Sequence, residues 1–391
     1  GVLLPIMWLS AEWWTRWIID TADGASLGRI MILKLPFLLL INFSQNLLKW
    51  TFARLNFLIL SLGYTFFQVS VLIISIKVFE TGVLGILKAS LISDITFGTL
   101  GLIYVRKWVV RPKTFQHLAN LIPFAFPYGI ICITSAFSPT LERIIISNLF
   151  GYEQLGYYAV ATKIAMLIAL AVRAFQTAWG PFAISLYQQK DAIQTYNSVL
   201  KIFSLSICIG TLLITLAAEP LIHILASERY ADSSILVFPI VMSLGIQATS
   251  WITEIGISIS KRSYYSLYSY SISIIITLVG VIFMTQFLGL LGVGFGVLAG
   301  QIVQGLVASA LAQRGYKLSW DYLPVTGIIS LTLVIGIIAT WTRYVELISI
   351  SNGILIVGLL LLPVLGWLVV LRYDEREQFY LLIKGRLSTK V

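Results

Sequence analysis

Charge is scarce in this chain. Asp, Glu, Lys and Arg make up 11% of its 391 residues, where a soluble domain carries roughly a quarter, and that shortage excludes an ordinary water-soluble fold. Histidine is scarcer still. His117 and His223 are the only two; neither has a second ligand at metal-binding spacing and no nucleophile motif is present, so nothing in the sequence reads as a metal centre or an enzyme active site. The two cysteines, Cys132 and Cys208, both lie inside apolar runs, which excludes a disulfide framework and makes them packing residues. No long basic stripe exists despite a formal net charge of +10. The basic residues come a few per loop, which argues against nucleic acid as a partner. The chain opens Gly-Val-Leu-Leu without a Met or a basic flank, so its first apolar stretch does not read as a signal peptide and the chain is expected to be a fragment.

What is present is apolar length: 58% of the residues are hydrophobic. Read in windows of spanning length, the sequence predicts twelve membrane segments near 1–19, 27–48, 56–78, 82–105, 119–140, 154–178, 199–226, 234–258, 266–288, 290–312, 322–342 and 352–372. The fold class expected is therefore an all-α polytopic membrane protein with short loops and no sizeable soluble domain. The loops support this, because cytoplasmic loops carry an excess of Lys and Arg. Alternate loops, counted with adjoining segment ends, hold seventeen basic residues in one set, among them Arg106, Lys107, Lys261, Arg262, Arg314 and Lys317, and five in the other, Arg29, Lys77, Arg143, Arg229 and Arg343. Both ends of the chain, the C-terminus included, are expected to be cytoplasmic.

A shift of 207 residues lays Gly82-Val-Leu-Gly85 on Gly289-Leu-Leu-Gly292, Gly98 on Gly305, Asp94 on Gln301 and Arg54 on Lys261, and the segment boundaries follow. Segments one to four then repeat as seven to ten. This implies two pseudo-symmetric six-helix lobes in the same orientation, the first lacking two upstream helices, followed by two extra helices. The domains expected are residues 1–113, an incomplete four-helix lobe, 114–316, a complete lobe, and 317–391, two further helices and a cytoplasmic tail.

Ionisable groups within spans are costly and point to function. Segment six carries Lys163 and Arg173 on roughly one side, with Tyr158, Thr162, Gln176 and Thr177 nearby, a side that can line an electropositive cavity; Arg173, near a segment end, can instead snorkel to headgroups. Segment two offers the stripe Lys34, Asn42, Gln45 and Lys49, and segment eight Ser243, Gln247, Ser250, Glu254, Ser258 and Lys261. Such stripes either wall a cavity between the lobes or bond one helix to the next. Segment four holds Lys88 and Asp94; Asp94 is a candidate ion-coupling site or the partner of a neighbouring cation. Glu12 and Arg16 are spaced as a helical ion pair.

The run Glu142-Arg143, Gly151, Gly156-Tyr157-Tyr158, Lys163-Ile164-Ala165, Phe175, Trp179 and Pro181, with Gln45-Asn-Leu-Leu-Lys49, Arg54 and Lys261-Arg262, resembles the polysaccharide-transporter family. That family holds the flippases for O-antigen and other lipid-linked oligosaccharides, within the multidrug/oligosaccharidyl-lipid/polysaccharide exporter superfamily. Members usually carry Asp-Arg where this chain has Glu142-Arg143. The resemblance implies a MATE-like fold and a bacterial inner-membrane flippase that moves a polyprenyl-pyrophosphate-linked oligosaccharide outward by alternating access. Lys163, Arg173, Lys34 and Lys88 would then hold the pyrophosphate. Asn42, Gln45, Gln247, Ser250, Tyr158 and Gln176 would wall the cavity, and Asp94 or Glu254 would couple transport to protons or sodium, with no other cofactor. Partners implied are the lipid-linked substrate, the bilayer and other membrane proteins of polysaccharide assembly. The alternatives from sequence are a multidrug exporter of the same superfamily, which would favour acidic groups for cationic drugs, and a membrane enzyme of polysaccharide assembly, for which the catalytic clusters and large outer loops are missing.

Overall fold

Hydrocarbon offers no water to backbone N–H and C=O groups, so a chain this apolar must pair them within itself, and helices do so segment by segment. The computed structural model describes residues 3–11, 13, 24–77, 82–110 and 116–370. The second half of the expected first span apart from residues 11 and 13, the Glu12–Arg16 pair and the basic tail from Arg372 lie outside them. Among the described residues, ten helices are long and apolar enough to cross a membrane, and one of them, Leu121–Leu186, runs for 66 residues. The chain divides into two compact units, Gly1–Thr114 and Phe115–Val391.

The first unit contains α1 (Leu3–Leu9), α2 (Gly24–Trp50), α3 (Arg54–Lys77) and α4 (Val83–Val105). Helix α4 packs on both α2 and α3. Lipid supplies no hydrophobic drive for one helix to seek another, so close approach rests on small residues. A Cβ at Gly98 would stand 3.2 Å from the Phe37 carbonyl oxygen, and one at Gly101 would stand 2.8 Å from Ser44 Oγ. Ile41, Leu48, Leu60, Phe97 and Val105 form the core around these contacts.

The second unit contains α5 (Gln116–Leu186), α6 (Ala192–Leu216), α7 (Ala218–Leu225), α8 (Ser234–Thr253), α9 (Ile255–Ser260), α10 (Tyr264–Leu288), α11 (Leu290–Gly315), α12 (Tyr322–Tyr344) and α13 (Ile348–Leu365). Helix α5 is broken into two legs at Gly151, whose φ of 82° and ψ of 175° belong to a region only glycine occupies without strain. Among the described spans α8 is the most buried, packed against α5, α6, α11 and α12. Helices α10 and α11 form a tight hairpin in which Gly292 faces Met284, Gly296 faces Val281 and Gly300 faces Ser273 and Thr277, and Ser273 Oγ donates to the Gly300 carbonyl at 2.9 Å.

Helices α12 and α13 pack on α6, and α12 also on α8. The connection entering α12 is tied to α6: Lys201 Nζ lies 2.9 Å from Asp321 Oδ2, Asn197 Oδ1 accepts from the Asp321 backbone N–H at 2.8 Å, and Asn197 Nδ2 donates to the Ser319 carbonyl at 3.0 Å.

Gly82 and Gly289 each stand immediately before the helices that the 207-residue shift equates, α4 and α11. Elsewhere the helices depart from the expected segment ends. The first leg of α5 runs through Glu142 to the break at Gly151, because Tyr158 and Ser138 supply hydrogen bonds to that carboxylate. The expected segment at 199–226 is instead α6 and α7, parted at Ala217, and that at 234–258 is interrupted at Glu254 between α8 and α9.

The hairpin gives a contrast between two glycines of α11. A Cβ at Gly296 would stand 2.5 Å from the Val281 backbone nitrogen, whereas at Gly305 its nearest neighbour is Ser250 Cβ at 3.5 Å, ordinary contact. Gly296→Ala is expected to destabilise the protein by about 1–3 kcal/mol through forced separation of the helices, and Gly305→Ala by no more than roughly 0.5 kcal/mol. Thermal unfolding of the two variants in detergent checks this; equal shifts would contradict the packing described.

Candidate functional site

Three helices of the first unit converge on a charged cluster. Lys34 on α2 places Nζ 3.6 Å from Asp94 Oδ2 on α4 and donates to Ser90 Oγ at 2.5 Å. Tyr64 on α3 donates its hydroxyl to Asp94 Oδ1 at 2.7 Å, and Gln68 Nε2 reaches Ser90 Oγ at 3.5 Å. Asp94 is fully buried and the Lys34 side chain is 16% exposed. A lone carboxylate or ammonium in this setting would be strongly disfavoured; paired and hydrogen-bonded, the two form a neutral unit. Two residues expected to serve different ends, an anion-binding cation and an ion-coupling carboxylate, are thus each other's partners. Sequence reading missed Tyr64 and Gln68, whose i,i+4 spacing puts both on one side of α3. Of the other candidates on these helices, Lys88 and Asn42 are exposed and Gln45 is half-buried; Asn42 Nδ2 donates to the Leu38 carbonyl at 2.8 Å.

In the second unit, Lys163 and Arg173 stand exposed on the second leg of α5, and among the described residues neither has an ion-pair partner. The opposite face of that leg, Ala161, Ile164, Ala165, Ile168 and Val172, is packed into the unit's core. Tyr158 is buried, and its hydroxyl donates to Glu142 Oε2 at 2.8 Å while Ser138 Oγ reaches Oε1 at 3.4 Å. Gln176 is exposed, Gln247 half-buried and Ser250 buried.

A cavity of about 180 Å³ opens where both legs of α5 meet the α8–α9 break. Gln176, Trp179 and Tyr128 line it from α5, Trp251 and Glu254 from the end of α8, and Ser258 from α9. Glu254 Oε1 accepts from Ser250 Oγ at 3.2 Å, and no cation pairs with this carboxylate among the described residues. Trp179 is held by Phe175, stacked at 5.7 Å, and by Tyr196, edge-on at 5.6 Å. Its buried Nε1 has no hydrogen-bond partner. The aromatic members of this cavity escape sequence reading, because tryptophans near helix ends also mark the membrane interface.

The sequence pattern of the polysaccharide biosynthesis proteins matches residues 1–235, more than half of the chain. The chain belongs to the polysaccharide biosynthesis protein family. No curated protein matches it in sequence. Among solved structures, a point mutant of the Vibrio cholerae MATE transporter VcmN aligns with a TM-score of 0.66 at 16% identity, covering 80% of this chain and 75% of that one. The lipid II flippase MurJ, in an inward closed conformation, aligns with a TM-score of 0.61 at 14% identity over 95% of this chain and 82% of its own. Likeness at these identities carries the fold alone. It agrees with the fold class read from the sequence: this family member is a multi-pass helical membrane protein built like the MATE transporters and MurJ.

The Lys34–Asp94 pair has a measurable signature. Lys34→Met and Asp94→Leu, made singly, each strand a buried charge and are expected to lower stability by about 3–5 kcal/mol; the double variant, with no charge left to compensate, should fall well short of the sum. Thermal unfolding of the cycle in detergent is the check, and additive losses would show that the two groups do not act as a pair.

Proposed function

We propose that this protein is a flippase of the bacterial inner membrane that carries a polyprenyl-pyrophosphate-linked oligosaccharide outward by alternating access, for assembly of a surface polysaccharide such as O-antigen or capsule. Membership of a polysaccharide biosynthesis family and a fold shared with a lipid II flippase support the class. The observation that carries the substrate is the pair Lys163 and Arg173, two exposed cations on a membrane-spanning leg with no carboxylate partner among the described residues. Cations persist in a span where a watery cavity or an anion receives them, and a pyrophosphate offers closely spaced acceptor oxygens for charge-assisted hydrogen bonds to both side chains. Lys34 and Lys88, the other two cations expected to hold the pyrophosphate, lie in the first unit, and Lys34 is already paired with Asp94, whereas Lys163 and Arg173 have no such tie.

Coupling to protons or sodium would need a carboxylate not already neutralised by a cation, which sets Asp94 behind Glu254. A cationic-drug exporter is the second reading, and the carboxylate of Glu254 is the observation in its favour. The unpaired basic groups of α5 weigh against it, since a site attracting organic cations would be expected to lack them.

Complementation decides between the readings. In a strain that lacks the gene and its surface glycan, the wild-type gene is expected to restore glycan display, and Lys163→Ala combined with Arg173→Ala to abolish it at normal protein levels. Full restoration by the double variant would overturn the anion site. Failure of the wild-type gene together with gained resistance to cationic drugs would favour the exporter.

A further inference from the structure

We infer that the cavity at the α8–α9 break is a subsite for one neutral sugar ring, with Glu254 serving glycan recognition and not ion coupling. This rests on the proposed flippase function and names where in the second unit the oligosaccharide is held. The cavity, about 180 Å³, has room for several waters at about 30 Å³ each. That is far more than a bare ion needs and is comparable to the space of one hexopyranose.

Its lining has the chemistry a sugar requires. A pyranose presents apolar C–H faces and a rim of hydroxyls that both donate and accept. Trp251 and Tyr128 offer flat apolar surface for the faces. Glu254 accepts, Gln176 both donates and accepts, and the Ser258 hydroxyl does either. Polar side chains set among aromatic rings are a composition suited to a polyhydroxylated ring.

Trp179 favours a ligand that brings an oxygen lone pair. Its side chain is 5% exposed, its ring is fixed between Phe175 and Tyr196, and its buried Nε1–H has no acceptor. A buried donor left unmade costs stability, and a hydroxyl oxygen of a ligand can satisfy it. A sugar hydroxyl can accept from Trp179 and donate to Glu254.

Saturation-transfer NMR on the full chain in nanodiscs, with methyl glycosides of glucose, N-acetylglucosamine and rhamnose as probes, tests this. At least one glycoside is expected to bind saturably, unaffected by replacing sodium with choline. Trp179→Phe, which keeps the ring and removes the donor, should weaken binding about fivefold, the factor that one neutral hydrogen bond corresponds to. Glu254→Gln should weaken it as well, and size-exclusion profiles confirm folding of both variants. Absence of saturable binding for all three probes, or wild-type binding by both variants, overturns the subsite. So does competitive displacement by sodium or tetraphenylphosphonium that is lost in Glu254→Gln. Glycoside binding without rescue of glycan display would leave the subsite standing and remove the flippase reading; rescue with no glycoside binding would do the reverse.

Discussion

A hydrocarbon medium forgives no unpartnered polar group, and the arrangement of this protein follows from that constraint. Backbone groups are satisfied helix by helix, which accounts for the long spans and for the sites where they are interrupted. Gly151 parts the legs of α5 with a backbone conformation other residues avoid, and Glu254 sits at the junction of α8 and α9. The second of these interruptions coincides with the polar cavity of the second unit. Irregular backbone at membrane depth is tolerated where protein or a wet cavity receives it.

Side chains obey the same rule with less uniformity. Hydroxyls mostly return to their own helix, as Thr162 does to the Tyr158 carbonyl. Charges are sorted more sharply. Lys34 with Asp94, and Lys201 with Asp321, are neutralised across helices and hold the packing together. Lys163, Arg173 and Glu254 are not neutralised by any described residue. The paired groups hold helices together, and the proposed ligand sites are built on the others. Glycine and serine make the sorting possible, because only small residues bring α2 against α4, or α10 against α11, closely enough for short polar side chains to meet.

Much of this was legible along the chain. Scarcity of charge and the length of apolar runs determine the class of fold, since runs of about 20 apolar residues suit spanning helices and not the short alternating strands of a barrel. Gly82 and Gly289, which the 207-residue shift lays on one another, each stand immediately before a helix in the structure. The residues able to carry function were visible as well, because an ionisable group in a span is conspicuous wherever it falls.

What sequence could not decide is which of these groups meet. Lys34 and Asp94 are sixty positions apart, and their contact depends on the rotation of α2 and α4 about their own axes, set by the close approach at Gly98 and Gly101. Tyr158 reaches Glu142 only because α5 folds back at Gly151. The cavity beside Glu254 draws on α5, α8 and α9 at once, and no periodicity within one helix encodes a space shared by three. Hydropathy is a property of each segment by itself and is written in its residues; the pairing of charges is a property of neighbouring surfaces, and only tertiary packing assigns it.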